Sequence, residues 1–301
     1  MGTINNALLL EKGLRADFLK AFNNGENESV VSPLIMETSS TSDSEKYGWL
    51  GEVAQMSEWV DERKLRGLAD YDYTIPNRDY ESTLKVSKNA MDDDQLGAVK
   101  VRIRDLAARA KTHKMKLTMD ALVAGTVDLG YDGVPFFSAS HPESGTNQSN
   151  ISDLNIAGSA YTTAEFSTAF KQARAQMRAF TDDQGEPRNE GELSLYIVGS
   201  PDVEGVVDEV LSADQISSGT NTLKGQAKKI ISSRLTGQVC YMIDASGSLK
   251  ALVNQTRQGI KFESLEKGER AFMRKDLLFG VDNRVGFGYG LWSKAIQMTV
   301  S

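Results

Sequence analysis

Two histidines and one cysteine in 301 residues leave little material for transition-metal chemistry. A zinc site needs several nitrogen or sulfur ligands, so His113, His141 and Cys240 would have to meet from three distant parts of the chain. A lone cysteine also excludes an internal disulfide framework and fits a reducing compartment, where such a thiol is a small buried apolar residue. Neither a Gly-x-Ser-x-Gly nucleophile elbow nor a Gly-x-Gly-x-x-Gly dinucleotide loop occurs, and no internal repeat is visible. No stretch approaches the ~18 apolar residues of a membrane span, and no membrane partner is expected. The N-terminal patch has no cationic leader, so a secretory signal is not expected, and Asn6 stands where a myristoylation motif wants Ser or Thr. A net basic charge is missing too: the sum is −7, which argues against a dedicated nucleic-acid binder. No catalytic residue, cofactor or metal is expected.

What the chain does have is enough apolar material, 40% of its residues, for a sizeable core in two domains. Its charge is unevenly spread. Residues 1–94 carry 10 Lys+Arg against 18 Asp+Glu, a net −8, whereas 95–119 carry seven basic residues against Asp105, a net +6. The basic segment reads as one long helix, because Leu96, Val99, Ile103, Leu106, Ala110, His113 and Leu117 recur at spacings of three and four. Asp92-Asp93-Asp94 stand at its start, where carboxylates favour the positive end of the helix dipole.

Two pieces precede it. An amphipathic helix is expected over about Thr3–Phe22, with a stripe of Leu10, Leu14, Phe18 and Phe22 that has no partner nearby in sequence. Tyr71, Tyr73 and Ile75 alternate with polar residues, Pro76-Asn77-Arg78-Asp79 break the run, and Tyr80, Leu84 and Val86 resume it. That pattern predicts a long polar β-hairpin, marginal alone in water and in need of something to lie on. Downstream, Thr162 to Glu165 form a capping-box pattern before a helix through Phe166, Phe170, Ala173 and Met177. Leu193–Val198 reads as a buried strand, followed by a turn and a helix with Val203, Val206, Val207 and Val210 inside. Strand-like pieces "GQVCYMID", "LKALVNQ" and "GFGYGLWSKAIQMTV" close the chain. In the last, Gly286, Gly288 and Gly290 leave one strand face bare for close packing. The class is α+β.

The stretch "YDGVPFFSASHP", Tyr131 to Pro142, offers two readings. A hydrolase would use Ser138, Ser140 or His141. The structural reading makes it a corner: Asp132-Gly133 supply a turn, Pro135 restricts the backbone, Phe136 and Phe137 anchor a core, and His141 helps to hold the bend.

"YGWLGEVAQMSEWVDERKLRGLADYDYTI", "ESTLKVSKNAMDDDQLG" and "YDGVPFFSASHP" together resemble the major head subunit of Mu-like phages and prophages, within the tailed-phage major capsid family. "LYIVGSPDVEGVVDEVL" and "FGYGLWSKAIQM" fit the same pattern. The resemblance implies that family's fold: an N-terminal arm over 1–48, an extended loop over 58–91, a peripheral domain with a spine helix over 92–158 and 256–285, and an axial domain over 159–255 and 286–301. It implies hexamers and pentamers of the chain itself, closed into an icosahedral virion head around double-stranded DNA after assembly in the host cytoplasm. Scaffold and portal are expected as separate proteins. The arm and hairpin become parts that pack on neighbours, which makes Leu14, Phe18, Phe22, Tyr71, Tyr73, Tyr80 and Leu84 candidate inter-subunit contacts. Arg102 and Arg109 join them, facing an acidic segment of a neighbour, with packaged DNA or solvent as the other readings of the basic face. An encapsulating compartment with the same fold and a protein cargo is the rival assembly.

Overall fold

In a computed structural model the chain is described over residues 2–23, 30–47, 73–87, 96–143, 146–154, 158, 160–182, 185–216, 219–265 and 276–300. Helix α1 spans Gly2–Asn23 and leads to strands β1 (Ile35–Ser39), β2 (Ser44–Lys46), β3 (Thr74–Pro76) and β4 (Arg78–Ser87). Helices α2 (Leu96–Lys111) and α3 (His113–Ala124) follow, then short strands β5 (His141–Glu143), β6 (Thr146–Gln148) and β7 (Ile151–Leu154). Helix α4 (Thr163–Ala179), β8 (Leu195–Gly199), helix α5 (Pro201–Ser212), β9 (Gln215–Ile216), β10 (Gly219–Thr220), β11 (Ala227–Ile231) and β12 (Cys240–Asp244) come next. Two long strands, β13 (Leu252–Leu265) and β14 (Asp276–Tyr289), and then β15 (Ala295–Val300) complete the described elements.

Two sheets carry the architecture. One has the order β1-β13-β14-β4, with β1 parallel to β13 and the rest antiparallel. The other is mixed, in the order β11-β8-β12-β15-β7. Helices α4 and α5 lie against this second sheet and each other, burying Phe166, Phe170, Met177, Val203, Val207 and Val210. Both start as their sequences require. The Thr162 side chain accepts from the Glu165 amide while the Glu165 carboxylate reaches back to the Thr162 amide, and Ser200 caps α5 ahead of Pro201. A smaller core joins α1 and α2 to the four-stranded sheet: Leu14 and Phe18 meet Val99, Ile103 and Ala107 above Val86, Phe262, Phe279 and Val281.

Four expectations need correction. The arm stripe is not left for a neighbour. Leu14 and Phe18 are fully buried in their own chain, and Phe18 stacks 4.8 Å from Phe262, because α1 folds back onto α2 and satisfies the stripe locally. Next, the hairpin over 71–86 does not form among the described residues: β3 pairs with β2, and β4 pairs with β14 from Arg78 to Ser87. The chain runs straight on through Asn77 and changes partner there, with Asn77 tied to Asp43, Ser40 and Ser42 on one side and to Gln255 on the other. Tyr71 and the Asp92–Asp94 cluster lie outside the described residues.

The basic segment is two helices rather than one. At Thr112 the helical hydrogen bonds persist, from Thr112 N–H to Ala108 and from Lys116 N–H to Thr112, both 3.1 Å. The Thr112 hydroxyl turns back to the Arg109 carbonyl, a local competitor that tightens the turn where α2 gives way to α3. Lastly, the division at residue 158 puts β7 with the spine helix, yet β7 is an edge strand of the five-stranded sheet through its parallel ladder with β15.

Candidate functional site

The Tyr131–Pro142 stretch is built around one buried ring. Gly133 takes a positive φ of 77°, a conformation that suits glycine, and lets the chain turn so that Asp132 points back at the segment that follows. The Asp132 carboxylate then lies 2.5 Å from His141 Nδ1, and His141 Nε2 lies 3.2 Å from the Asn150 side-chain oxygen. Both side chains of the Asp132–His141 pair are almost wholly shielded, at 2% and 0% exposure. Asn150 closes the arrangement: its oxygen accepts from the Ser138 amide and its Nδ2 donates to the Phe136 carbonyl. Underneath, the Trp292 indole is covered by His141 on one side, and the Arg188 guanidinium sits 5.5 Å from its ring centroid. Phe136 stacks on Tyr289, and Phe137 lies 5.2 Å from Tyr241 of β12.

This geometry bears on chemistry. Both imidazole nitrogens are engaged, by Asp132 and by Asn150, and the ring is closed off from solvent. It is therefore not offered as a base to Ser138 or Ser140. Among the described residues no group of three or more His, Cys, Asp or Glu side chains could hold a metal ion. Burial pushes the Cys240 thiol up to about 12, so the thiolate is disfavoured at that position.

The glycine row does what a bare strand face permits. A Cβ on Gly288 would stand 2.7 Å from Ile75 Cδ1, and one on Gly286 would stand 2.9 Å from Ile75 Cγ2 and 3.0 Å from the Pro76 carbonyl oxygen. One on Gly290 would overlap the Lys250 carbonyl oxygen. The absent side chains let β3 lie across β14, with the Tyr289 amide donating to the Tyr73 hydroxyl at 3.0 Å.

The candidate contact residues are spread over different environments. Phe22 is half-buried and stacked on Phe18. Tyr73 is half-buried beside Ile75, and burial raises its hydroxyl pKa. Tyr80 is half-buried, its ring edge-on to His113 at 4.5 Å, and Leu84 packs on the smaller core. Arg102 and Arg109 remain exposed, and Arg109 pairs with Asp105 in its own helix. Asn150, Arg188 and Trp292 complete the corner, and sequence reasoning did not find them: Arg188 and Trp292 sit far along the chain, and no local pattern ties the nearer Asn150 to His141.

The family described as Mu-like prophage major head subunit gpT matches residues 8–166 and 231–300, well over half of the chain. The chain belongs to this family. Its curated relatives include the Mu-like prophage FluMu major head subunit of Haemophilus influenzae, 24% identical over 294 residues, covering 95% of this chain and 72% of that protein. The major capsid protein of Escherichia phage Mu is 22% identical over 291 residues, with the same shares covered. Among solved structures, the procapsid of bacteriophage JBD30 superposes with a TM-score of 0.59 at 22% identity, over 99% of this chain and 76% of that one. The α+β architecture is thus the tailed-phage major capsid fold. As a Mu-like major head subunit, the chain is a phage capsid protein, and the family match decides against the encapsulating-compartment reading. In this capsid protein the corner joins the end of α3, through Phe136 and Phe137, to Tyr289 and to β12 of the five-stranded sheet.

Proposed function

We propose that this chain is the repeating shell subunit of an icosahedral phage head, assembling with itself into hexamers and pentamers that enclose double-stranded DNA without reading its sequence. The observation that supports this reading is the family match over 8–166 and 231–300, joined to a capsid fold that spans nearly the whole chain. Its activity is self-association, and the Asp132–His141 pair serves the architecture of the subunit rather than a reaction. Assembly takes place in the host cytoplasm, and a portal protein supplies the opening through which DNA enters. The contact candidates of the arm are narrower than the whole stripe: with Leu14 and Phe18 buried inside the subunit, a neighbour meets the part of Phe22 and of Tyr80 that remains at the surface.

Electron microscopy of the expressed protein tests this. Closed isometric particles with five- and six-fold capsomers are expected. A protein that stays monomeric at high concentration, or particles that hold protein cargo and exclude nucleic acid during infection, would overturn it.

A further inference from the structure

Helices α1 and α2 form a layer on one face of the four-stranded sheet, since both contribute to the core above Val86, Phe262, Phe279 and Val281. Their other sides are open. Seven basic side chains of the two helices are exposed: Lys12, Arg15 and Lys20 on α1, and Lys100, Arg102, Arg104 and Arg109 on α2. Two carboxylates answer them among the described side chains. Asp17 stands 3.7 Å from Lys100 and 3.8 Å from Arg104, and Asp105 stands 3.2 Å from Arg109. The arm therefore meets the basic helix within one subunit, yet seven against two leaves the described side chains five positive charges in excess, in a chain whose sum is −7. By strand alternation the opposite face of the sheet exposes both signs, with Glu81, Lys85, Lys261 and Glu263.

The excess is costly where it stands. Lys100 and Arg104 are like charges four residues apart, an arrangement that disfavours a helix by about 0.2–0.5 kcal/mol, and one shared Asp17 at long range offsets it only in part. An external anion relieves the repulsion. Apart from its charged residues, α2 exposes Gly97, Ala98, Val101 and Ala108, and it contains no Asn, Gln or aromatic side chain for base edges or stacking. Its length of roughly 24 Å, at 1.5 Å per residue, runs past about fourteen phosphate charges of a parallel duplex.

We infer that the α1–α2 face is the surface this subunit turns toward duplex DNA, binding its phosphate backbone and no particular sequence. The inference rests on the proposed head function, which brings dense duplex against the shell. The direct probe is a 30-base-pair duplex titrated with the full chain by fluorescence anisotropy. With three or four phosphates neutralised, affinity falls about 40- to 150-fold between 50 and 200 mM salt. A Lys20→Gln, Arg102→Gln variant, whose changes are both at exposed positions, lowers the salt slope by about two and weakens binding at 50 mM salt. Lys229→Gln, the same kind of charge change on β11, leaves both unaltered. No duplex binding by the unaltered chain, or an equal loss in the Lys229→Gln control, overturns the inference. So does a double variant that binds duplex normally but no longer forms shells, which assigns the face to an acidic segment of a second copy. Failure of the unaltered protein to form particles at all counts against the head function instead, since the duplex titration needs no shell.

Discussion

The Trp292 indole lies face to face with the His141 imidazole, ring centroids 4.2 Å apart and planes within 6° of parallel. The two residues come from distant parts of the chain, the corner after α3 and the turn before β15, and Phe180 meets the same indole edge-on at 5.0 Å. Trp292→Ala is expected to destabilise the subunit by about 3–5 kcal/mol, because the cavity it leaves is walled by elements fixed elsewhere. Asp132→Ala strands a buried ring nitrogen and costs about 1–3 kcal/mol. Urea denaturation of the unassembled chain measures both; a wild-type midpoint for Trp292→Ala would show that the corner is held by other contacts.

The arm helix is a second point of test. Since Phe18 is buried against Phe262 inside one subunit, Phe18→Ala should cost the isolated chain about 3–5 kcal/mol before any assembly takes place. If only shell stability drops, α1 packs across subunits in solution.

Gly288→Ala pushes a methyl against Ile75 and is expected to cost about 1–3 kcal/mol. Trimming the partner should restore most of the loss. A double-mutant cycle with Ile75→Ala is therefore expected to show a favourable coupling of roughly 0.5–3 kcal/mol. Additive losses would place β3 away from the glycine row.

Asp244 sets an acid limit. Burial alone pushes its carboxyl pKa up, but hydrogen bonds from the Lys294 ammonium and from the Ser246 hydroxyl and amide outweigh it and hold the group below its ordinary 3.8. In the unfolded chain the group protonates first as pH falls. The stability it contributes is therefore present above pH 3.8 and is lost as pH drops from there through the folded value. Asp244→Asn should be less stable than wild type at neutral pH, with the gap narrowing below pH 4 in pH-resolved denaturation. A constant gap would remove the ion pair from the account.

Local signals were legible in the sequence. The Thr162 capping box, the apolar stripe of α5 around Val203 and Val207, and the bare strand face at Gly286 to Gly290 each state their own geometry within a few residues. Partner choice was harder. The Tyr73–Val86 alternation announces extended chain on both sides of Asn77, but whether the two strands pair with each other or with β2 and β14 depends on residues up to two hundred positions away. The stripe of Leu14 and Phe18 announces a buried face in the same way, without saying whether the cover is α2 or a neighbour. Family resemblance supplied the architecture, and it inclined the reading of unpartnered faces toward interfaces that the chain in fact fills itself.

Strand β15 lies between β12 and β7, and the Thr299 hydroxyl bonds to Asp153 across 146 residues of chain. A ribosome must therefore reach β15 before the five-stranded sheet can close, because β7 has β15 as its ladder partner among the described strands. Half-made chains hold this sheet open. The order of synthesis thus works as a clock for this sheet: a chain made only as far as β12 leaves β7 without its described ladder partner.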